Sequence, residues 1–400
     1  MRILVTGGAG FIGSNFVHYW LAHHPQDEIT VLDLLTYAGN LDNLRDLQSN
    51  RRLTFVKGDI RDYQLDRELV GQADIVLHLA AETHVDRSLL GPEAERQFWE
   101  TNVEGTNTLL KAVVSHGGAS KRRTQKFIHM STDEVWGELP FDETKFDLET
   151  PLDPRQPYSA SKAEAQITAH SWNHFIDGYD TLQEDAISAV VNCTNVVGEY
   201  QFPEKFIPLS VTNVLEGKPI RVYGDGINVR EWIYIGDLCR GFEAVIENGR
   251  VGGSFGPYKI IKDGREQAIP VWQGHRYLFG SGEETTNMEL AKTILRMMDK
   301  PIEIAKPGED TEGKATIHLV GDRPIHDLRY AIDYSQTTRE LGWKPEYKLE
   351  QSLQRTIDWY KRNPQWWRPL KEGKRVVFEW GGNTVSQEGS MAGYGKEARV

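Results

Sequence analysis

Short apolar, β-branched runs alternate with longer mixed stretches along the first half of the chain. The runs Arg2 to Thr6, Ile29 to Asp33, Leu53 to Lys57, Ile75 to Leu79, Phe127 to Ser131 and Ala186 to Asn192 read as strands. Helix-compatible segments lie between them at Gly10 to His23, Phe98 to His116 and Ser159 to Phe175. Strands separated by helical patterns predict an α/β fold: a parallel sheet with helices on both faces.

After about residue 195 the rhythm breaks. Pro203, Pro208, Pro219 and several glycines punctuate it, which reads as a smaller C-terminal lobe over 196–362 that crosses back to the sheet. Residues 249–275 read as a surface hairpin or loop insertion, with strand character at Tyr258 to Ile261 and Ala268 to Trp272. Helices are expected at Thr286 to Met298 and Ser352 to Lys361; the second carries Leu353, Ile357 and Tyr360 on one face. Residues 363–400 read as a C-terminal tail, in which the Gly-rich, polar stretch from Lys371 onward lacks a core of its own.

Composition narrows the classes. With 400 residues, 39% hydrophobic and 26% charged, the chain can bury a large core. A net charge of −12 and the lack of a basic block interleaved with aromatics argue against a nucleic-acid partner. Lys121-Arg122-Arg123 reads as a solvated loop before a strand. Cys193 and Cys239 sit among apolar neighbours, make no disulfide framework and suit a reducing cytoplasm. No targeting segment is visible, and no run approaches the roughly 18 apolar residues of a membrane span.

Gly8-Ala9-Gly10-Phe11-Ile12-Gly13 matches G-x-G-x-x-G between a strand and a helix, with Gly7 as an outer glycine. Small residues let backbone amides approach a pyrophosphate at the helix N-terminus. Asp33 ends the second strand, where a carboxylate accepts from a ribose 2′-hydroxyl and repels a 2′-phosphate; the cofactor expected is NAD, held in a Rossmann-type domain over 1–195. Asp59-Ile60 follows the third strand; the acid contacts adenine or caps the next helix. Leu79-Ala80-Ala81 supplies small residues where backbone lies against a cofactor. Glu82, His84 and Asp86 lack further ligands, so no metal site is expected.

Tyr158 and Lys162 are four residues apart and share a helix face if the helix starts near Ser159. An ammonium beside a phenol favours the phenolate and makes it a base toward a sugar hydroxyl. Thr132-Asp133-Glu134 follows the fifth strand, at the sheet edge where open α/β folds bind ligands. A plain dehydrogenase needs no such acid pair. An enzyme that also moves protons on and off carbon and oxygen does, with one acid protonated and the other ionised. The alternative is an Asp-Glu helix cap.

At these residues the chain resembles the nucleotide-sugar 4,6-dehydratases of the extended short-chain dehydrogenase/reductase family. The resemblance runs from residue 1 to about 362. It rests on the glycine motif, Leu35-Thr36-Tyr37-Ala38-Gly39-Asn40-Leu41, His84-Val85-Asp86-Arg87-Ser88 and Ser131-Thr132-Asp133-Glu134-Val135. Further support comes from Tyr158-Ser159-Ala160-Ser161-Lys162, Phe202-Pro203-Glu204-Lys205-Phe206-Ile207-Pro208 and Asp322-Arg323-Pro324. Similar epimerases keep the tyrosine and lysine but lack the acid pair. The resemblance implies a redox-neutral elimination on a nucleoside-diphosphate hexose, with dTDP-glucose the leading expectation. Tyr158 would take the O4 proton, Glu134 the C5 proton, and Asp133 would protonate the departing C6 hydroxyl. Thr132 would position O4, and Lys162 would hold the cofactor ribose. His84, Asn195, Glu204, Lys205, Arg230, Arg323 and His326 would line the substrate side, and Asn102 and Asn192 the cofactor side. Homodimerisation through the long helices is a further family expectation.

The chain departs from the family pattern at Val196-Val197, Trp136, Ile325 and Leu278, where members commonly carry Asn-Tyr, tyrosine, glycine and asparagine. These departures are expected to gather around nucleotide recognition and the pocket wall, which leaves a UDP-, CDP- or GDP-linked hexose open. The enzymatic rival is a nucleotide-sugar epimerase or decarboxylase. A non-catalytic dinucleotide sensor would have no reason to keep Tyr158, Lys162 and the acid pair together.

Overall fold

A computed structural model describes residues 1–115, 126–177, 187–262, 265–309, 313–322, 325–373, 376–380 and 383–387, and side chains outside 174–177, 253–273 and 376–387. The chain opens with β1 (Arg2–Thr6), α1 (Phe11–His23), β2 (Glu28–Asp33), β3 (Leu53–Lys57), α2 (Tyr63–Val70) and β4 (Ile75–His78). It continues through α3 (Val85–Ser88), α4 (Pro92–Phe98), α5 (Thr106–Ser115), β5 (Lys126–Met130), α6 (Pro157–Asp177) and β6 (Ser188–Cys193). The expected strands are all present, within two residues at their ends. The expected helix Phe98 to His116 is a composite: α4 ends at Phe98, a π-helical turn spans Trp99–Gly105, and α5 follows. His116 and the basic run Lys121 to Arg123 lie outside the described residues.

The second half holds β7 (Asn195–Val197), α7 (Phe206–Leu215), β8 (Ile220–Tyr223), β9 (Val229–Tyr234) and α8 (Ile235–Asn248). Then come β10 (Gly253–Lys262), β11 (Arg265–Gly274), β12 (Arg276–Phe279), β13 (Glu284–Thr286) and α9 (Asn287–Met297). The chain ends with β14 (Ile304–Ala305), β15 (Ile317–Val320), α10 (Ser335–Leu341), α11 (Leu349–Arg362), α12 (Pro364–Lys371), β16 (Val376–Trp380) and β17 (Asn383–Gln387).

The main sheet has seven strands in the order β12-β6-β5-β4-β1-β2-β3, every pair parallel. Its edge strand β12 comes from the second half of the chain, the crossing the sequence called for. Alternation within β1 sorts the two faces: Ile3 and Val5 pack with Phe16, Trp20 and Phe242 of α1 and α8. Leu4 faces the other way, with Val70 of α2, Leu109 and Val113 of α5 and Ala169 of α6. A further core joins α7, β8, α9 and α11 through Val211, Ile220, Ile294 and Ile357. Residues 249–275 form the β10–β11 antiparallel hairpin. Ahead of Lys371, where the coreless stretch is expected to begin, α12 buries Trp366, Trp367 and Leu370 in that further core. Three large apolar side chains within one amphipathic turn-and-a-half outweigh the Pro369 inside it. Both cysteines are free and buried, and no helix among the described residues is long and apolar enough to cross a membrane.

Candidate active site

The loops that leave the C-terminal ends of the central strands converge on one edge of the sheet. After β1 the chain turns through Gly7 to Gly10 into α1. Gly7 has φ +70°, and a Cβ there would lie 2.7 Å from the Ala80 amide nitrogen. A Cβ on Gly13 would lie 2.3 Å from the Gly7 carbonyl oxygen. Neither position accepts a side chain, whereas Gly10 meets only the Gly7 oxygen at 3.2 Å, so the turn is open there. Gly10 caps α1 with no side-chain hydrogen bond, which leaves first-turn amides for an incoming acceptor. Phe11 and Ile12 anchor that turn on the first core. Asp33 accepts from the Ala9 amide at 3.0 Å and the Leu35 amide at 2.8 Å. Burial pushes its carboxyl up, and these two amides pull it back down. Leu79, Ala80 and Ala81 are partly exposed at the end of β4, facing the same turn. An open amide turn, a fixed carboxylate and a small-residue wall fit a dinucleotide.

Of the two expectations for Asp59, the helix cap does not hold. Its carboxylate pairs with Arg61, and Asp62 caps α2 instead. Despite partial burial, Arg61 holds Asp59 below the usual carboxylate range. Ile60 is buried beneath Gly105.

After β5, Thr132 caps a short 3-10 turn over Asp133–Trp136 by accepting from the Glu134 amide. The capping duty falls on Thr132, so neither acid carboxyl is spent on it. The two acids sit in different surroundings. Asp133 is 2% exposed, with one carboxyl oxygen unpartnered and the other accepting from Thr132 at 3.2 Å. Burial, then the neighbouring Glu134, push it well above the carboxylate range. Glu134 is half-buried, and its Oε2 accepts from Gln156 Nε2 at 2.8 Å.

α6 starts at Pro157, two residues earlier than expected, so Tyr158 and Lys162 both lie in its first turns and face one way. Tyr158 hydrogen-bonds with the Thr132 side chain; burial pushes its phenol well up, and Glu134 and Asp133 add to this. Lys162 is buried and donates from Nζ to the Met130 carbonyl at 2.6 Å. Burial pulls its ammonium down to about 7. Phenol, threonine, acid pair and lysine therefore meet at the end of β5.

Two asparagines tie this edge together. Asn102, in the π-helical turn, donates to the Glu82 carbonyl and to Ser161 Oγ, and accepts from the Glu82 amide. Ser161 in turn donates to the Tyr158 carbonyl. Asn192 donates to the Thr132 carbonyl at 2.8 Å and to Gln166 of α6.

Among the residues expected on the substrate side, His84 precedes α3 with φ +85°. Glu82 lies near Arg87, and Asp86 accepts from Tyr223, so these acids serve ordinary polar contacts. Arg87 stacks on Tyr37, 3.4 Å from its centroid. Glu204 is buried, and Lys205 caps α7. Asn195 is on β7 with its Oδ1 buried. Arg230 donates to the carbonyls of Val229, Leu328 and Asp327 and lies over Tyr330, so much of its guanidinium braces the 327–328 segment. His326 Nδ1 is 2.7 Å from Asp322 Oδ1. Arg323 lies outside the described residues.

The departures fall in two places. Ile325 does sit beside His326, at φ +53°. Trp136 and Leu278 instead share one buried apolar cluster with Val135, Ala163 and Tyr330. They repack the wall behind the acid pair, because β12 runs along the sheet edge there and an apolar pair fills that space without polar partners. Gln156 escaped the sequence reading. A polar residue directly before a proline that starts a helix is its only local signal.

A glycine-rich turn after the first strand, with Tyr-x-x-x-Lys on the helix after the fifth, is the layout of a short-chain dehydrogenase/reductase. Residues 4–356 match the family model described as GDP-mannose 4,6 dehydratase. A dTDP-glucose 4,6-dehydratase of Mycobacterium tuberculosis is 41% identical over 381 residues, 95% of this chain and 99% of that protein. The dTDP-glucose 4,6-dehydratase DesIV of Streptomyces venezuelae, solved with NAD bound, superposes with a TM-score of 0.77 at 41% identity, covering 93% of this chain and all of that one. A UDP-glucuronic acid 4-epimerase of Bacillus cereus, at 23% identity and a TM-score of 0.72 over 90% of this chain and 99% of that one, shares the fold. The chain belongs to the nucleotide-sugar 4,6-dehydratase family.

Proposed function

We propose that this protein catalyses the NAD-dependent 4,6-dehydration of a nucleoside-diphosphate hexose, dTDP-glucose, to the 4-keto-6-deoxy sugar. The observation that carries the reading is the split between two adjacent acids. Asp133 is buried, and that burial pushes its carboxyl well up toward the protonated form; Glu134 is half-buried and hydrogen-bonded as an acceptor. One is a proton donor, the other a base.

NAD, which the Gly7–Gly13 turn and Asp33 would hold, would supply a hydride acceptor for C4 and a hydride donor for C6. Tyr158 takes the O4 proton as C4 is oxidised; burial and the acid pair raise its phenol, so the phenolate this step needs would depend on the positive nicotinamide ring of bound NAD. Thr132 positions O4, and Lys162 the ribose side. The 4-ketone makes the C5 proton acidic enough for a carboxylate. Glu134 removes it, Asp133 protonates the C6 hydroxyl, and water leaves across C5–C6. A proton then returns to C5. Asp33 favours NAD over its 2′-phosphorylated form. His84, Glu204 and Lys205 face the sugar in this reading, and Asn195, Arg230, Arg323 and His326 the nucleotide diphosphate. The named activities of the Mycobacterium and Streptomyces relatives support dTDP-glucose.

Product identification by mass and NMR after incubation with dTDP-, UDP-, CDP- and GDP-hexoses tests this. The expected result is a 6-deoxy-4-keto product with dTDP-glucose preferred. A C4 epimer that keeps its C6 hydroxyl refutes the reading. The same chemistry on another base is the second reading, supported by the β-branched Ile325 in left-handed conformation beside His326. We also propose a cytoplasmic homodimer, for which the exposed Ile167 on α6 is support; sedimentation at the mass of a single chain refutes it.

A further inference from the structure

We propose that Gln156 is a positioning residue that holds Glu134 aimed for C5 proton abstraction. The inference rests on the dehydratase reading and adds a residue to it.

Gln156 is 3% exposed and stands directly before Pro157, at the N-cap of α6. Its Oε1 accepts from the Ser159 amide at 3.2 Å. Ser159 Oγ donates to the Gln156 carbonyl at 3.0 Å and lies 3.3 Å from the Gln156 amide nitrogen. The pair forms a reciprocal cap on the helix that carries Tyr158 and Lys162. The Ser159 amide can only donate, so the side-chain oxygen of Gln156 must face it. The amide group of Gln156 is thereby fixed in one orientation, its Nε2 turned to Glu134 Oε2 at 2.8 Å. A neutral donor on a half-buried carboxylate favours the charged form and restricts its rotamer. Being neutral, the amide itself does not form an ion pair with the base that would blunt it. One side chain thus sets the start of α6 and the direction of Glu134, which couples the C4 and C5 steps through a single rigid amide.

Gln156→Glu keeps an oxygen for the Ser159 amide and so keeps the cap, but replaces the donor. Gln156→Met removes both functions at similar volume. With dTDP-glucose, the rate of C4 oxidation, read as reduced nicotinamide in a single turnover, should stay within about twofold of wild type in Gln156→Glu. Exchange of the C5 proton with deuterated water should fall about tenfold in both variants, the loss of one hydrogen bond to a charged group. In Gln156→Met the acid limb of the kcat profile should move up by about one pH unit, because the carboxylate loses a bond that favours it. Equal slowing of oxidation and exchange in Gln156→Glu, or an unmoved acid limb in Gln156→Met, overturns the role. A wild-type enzyme that shows neither C4 oxidation nor C5 exchange refutes the dehydratase reading itself. Wild-type activity with unchanged variants refutes only Gln156.

Discussion

The two halves of the site are built from different materials. The dinucleotide half is main chain: glycines bring amides to a turn, and Asp33 pins that turn through two more amides. The sugar half is side chain: Thr132, Gln156 and Asn192 connect β5, β6 and α6 and hold the reacting groups between them. Main-chain sites fail by obstruction, because one added carbon has nowhere to go. Side-chain sites fail by degrees, because each contact can be lost singly.

The largest effect should come from obstruction. Gly13→Val drives side-chain carbons into the Gly7 carbonyl and should abolish dinucleotide retention, measured on purified protein by nicotinamide content. Normal content would show that the turn is not what holds the cofactor.

Glu134→Gln and Asp133→Asn come next, with kcat down about a hundredfold or more, in the range of a lost general base or acid. Both should still oxidise C4, so reduced nicotinamide should accumulate. Normal turnover in either removes that residue from the reaction.

A smaller effect is expected from Arg230→Lys. The lysine loses the forked donation to three carbonyls and the stacking on Tyr330. KM for the sugar nucleotide should rise about tenfold while kcat holds within about twofold. A fall in kcat alone would place Arg230 in the chemistry.

The smallest effect on turnover, none, is expected at Asp66, a control for what burial alone does to a carboxyl. Asp66 is fully buried in α2 with neither oxygen hydrogen-bonded, and burial raises it to about 8. The unfolded carboxyl ionises near 3.8. Between those values the unfolded state holds fewer protons, so stability falls as pH rises and levels off above about 8. Asp66→Asn should flatten that slope and stabilise the protein at pH 8 by up to roughly 5 kcal/mol, with little change at pH 4. Parallel denaturation curves for both proteins across pH would sink the assignment. Asp133 is raised by the same physics, yet its removal should cost activity.

The same contrast explains what was legible in the sequence. Glycines at fixed spacing after a strand encode a backbone shape directly, so the cofactor turn could be read from consecutive residues. Tyr158 and Lys162 could be read because helical spacing places them together whatever the rest does. Gln156 could not, because its value depends on Glu134, brought in from a different strand. Nor could the fate of Arg230, whose carbonyl partners at 327 and 328 arrive from a distant loop. Nor could the packing of Trp136 with Leu278 behind the acid pair, which depends on the topology that puts β12 beside β6. The long helix read from 98 to 116 hid its π-helical turn, since an apolar periodicity averages over one extra residue.

That turn makes the segment before α5 intolerant of a change in length. A primary amide presents the same donor and acceptor as a peptide group, so Asn102 stands in for an adjacent strand beside Glu82. Removing a single residue between Trp99 and Gly105 would restore an ordinary helix and swing Asn102 about 100° around its axis. The loop beyond β4 would then lose its clasp while every reacting group remained in the chain, so evolution can vary this surface by substitution but not by deletion.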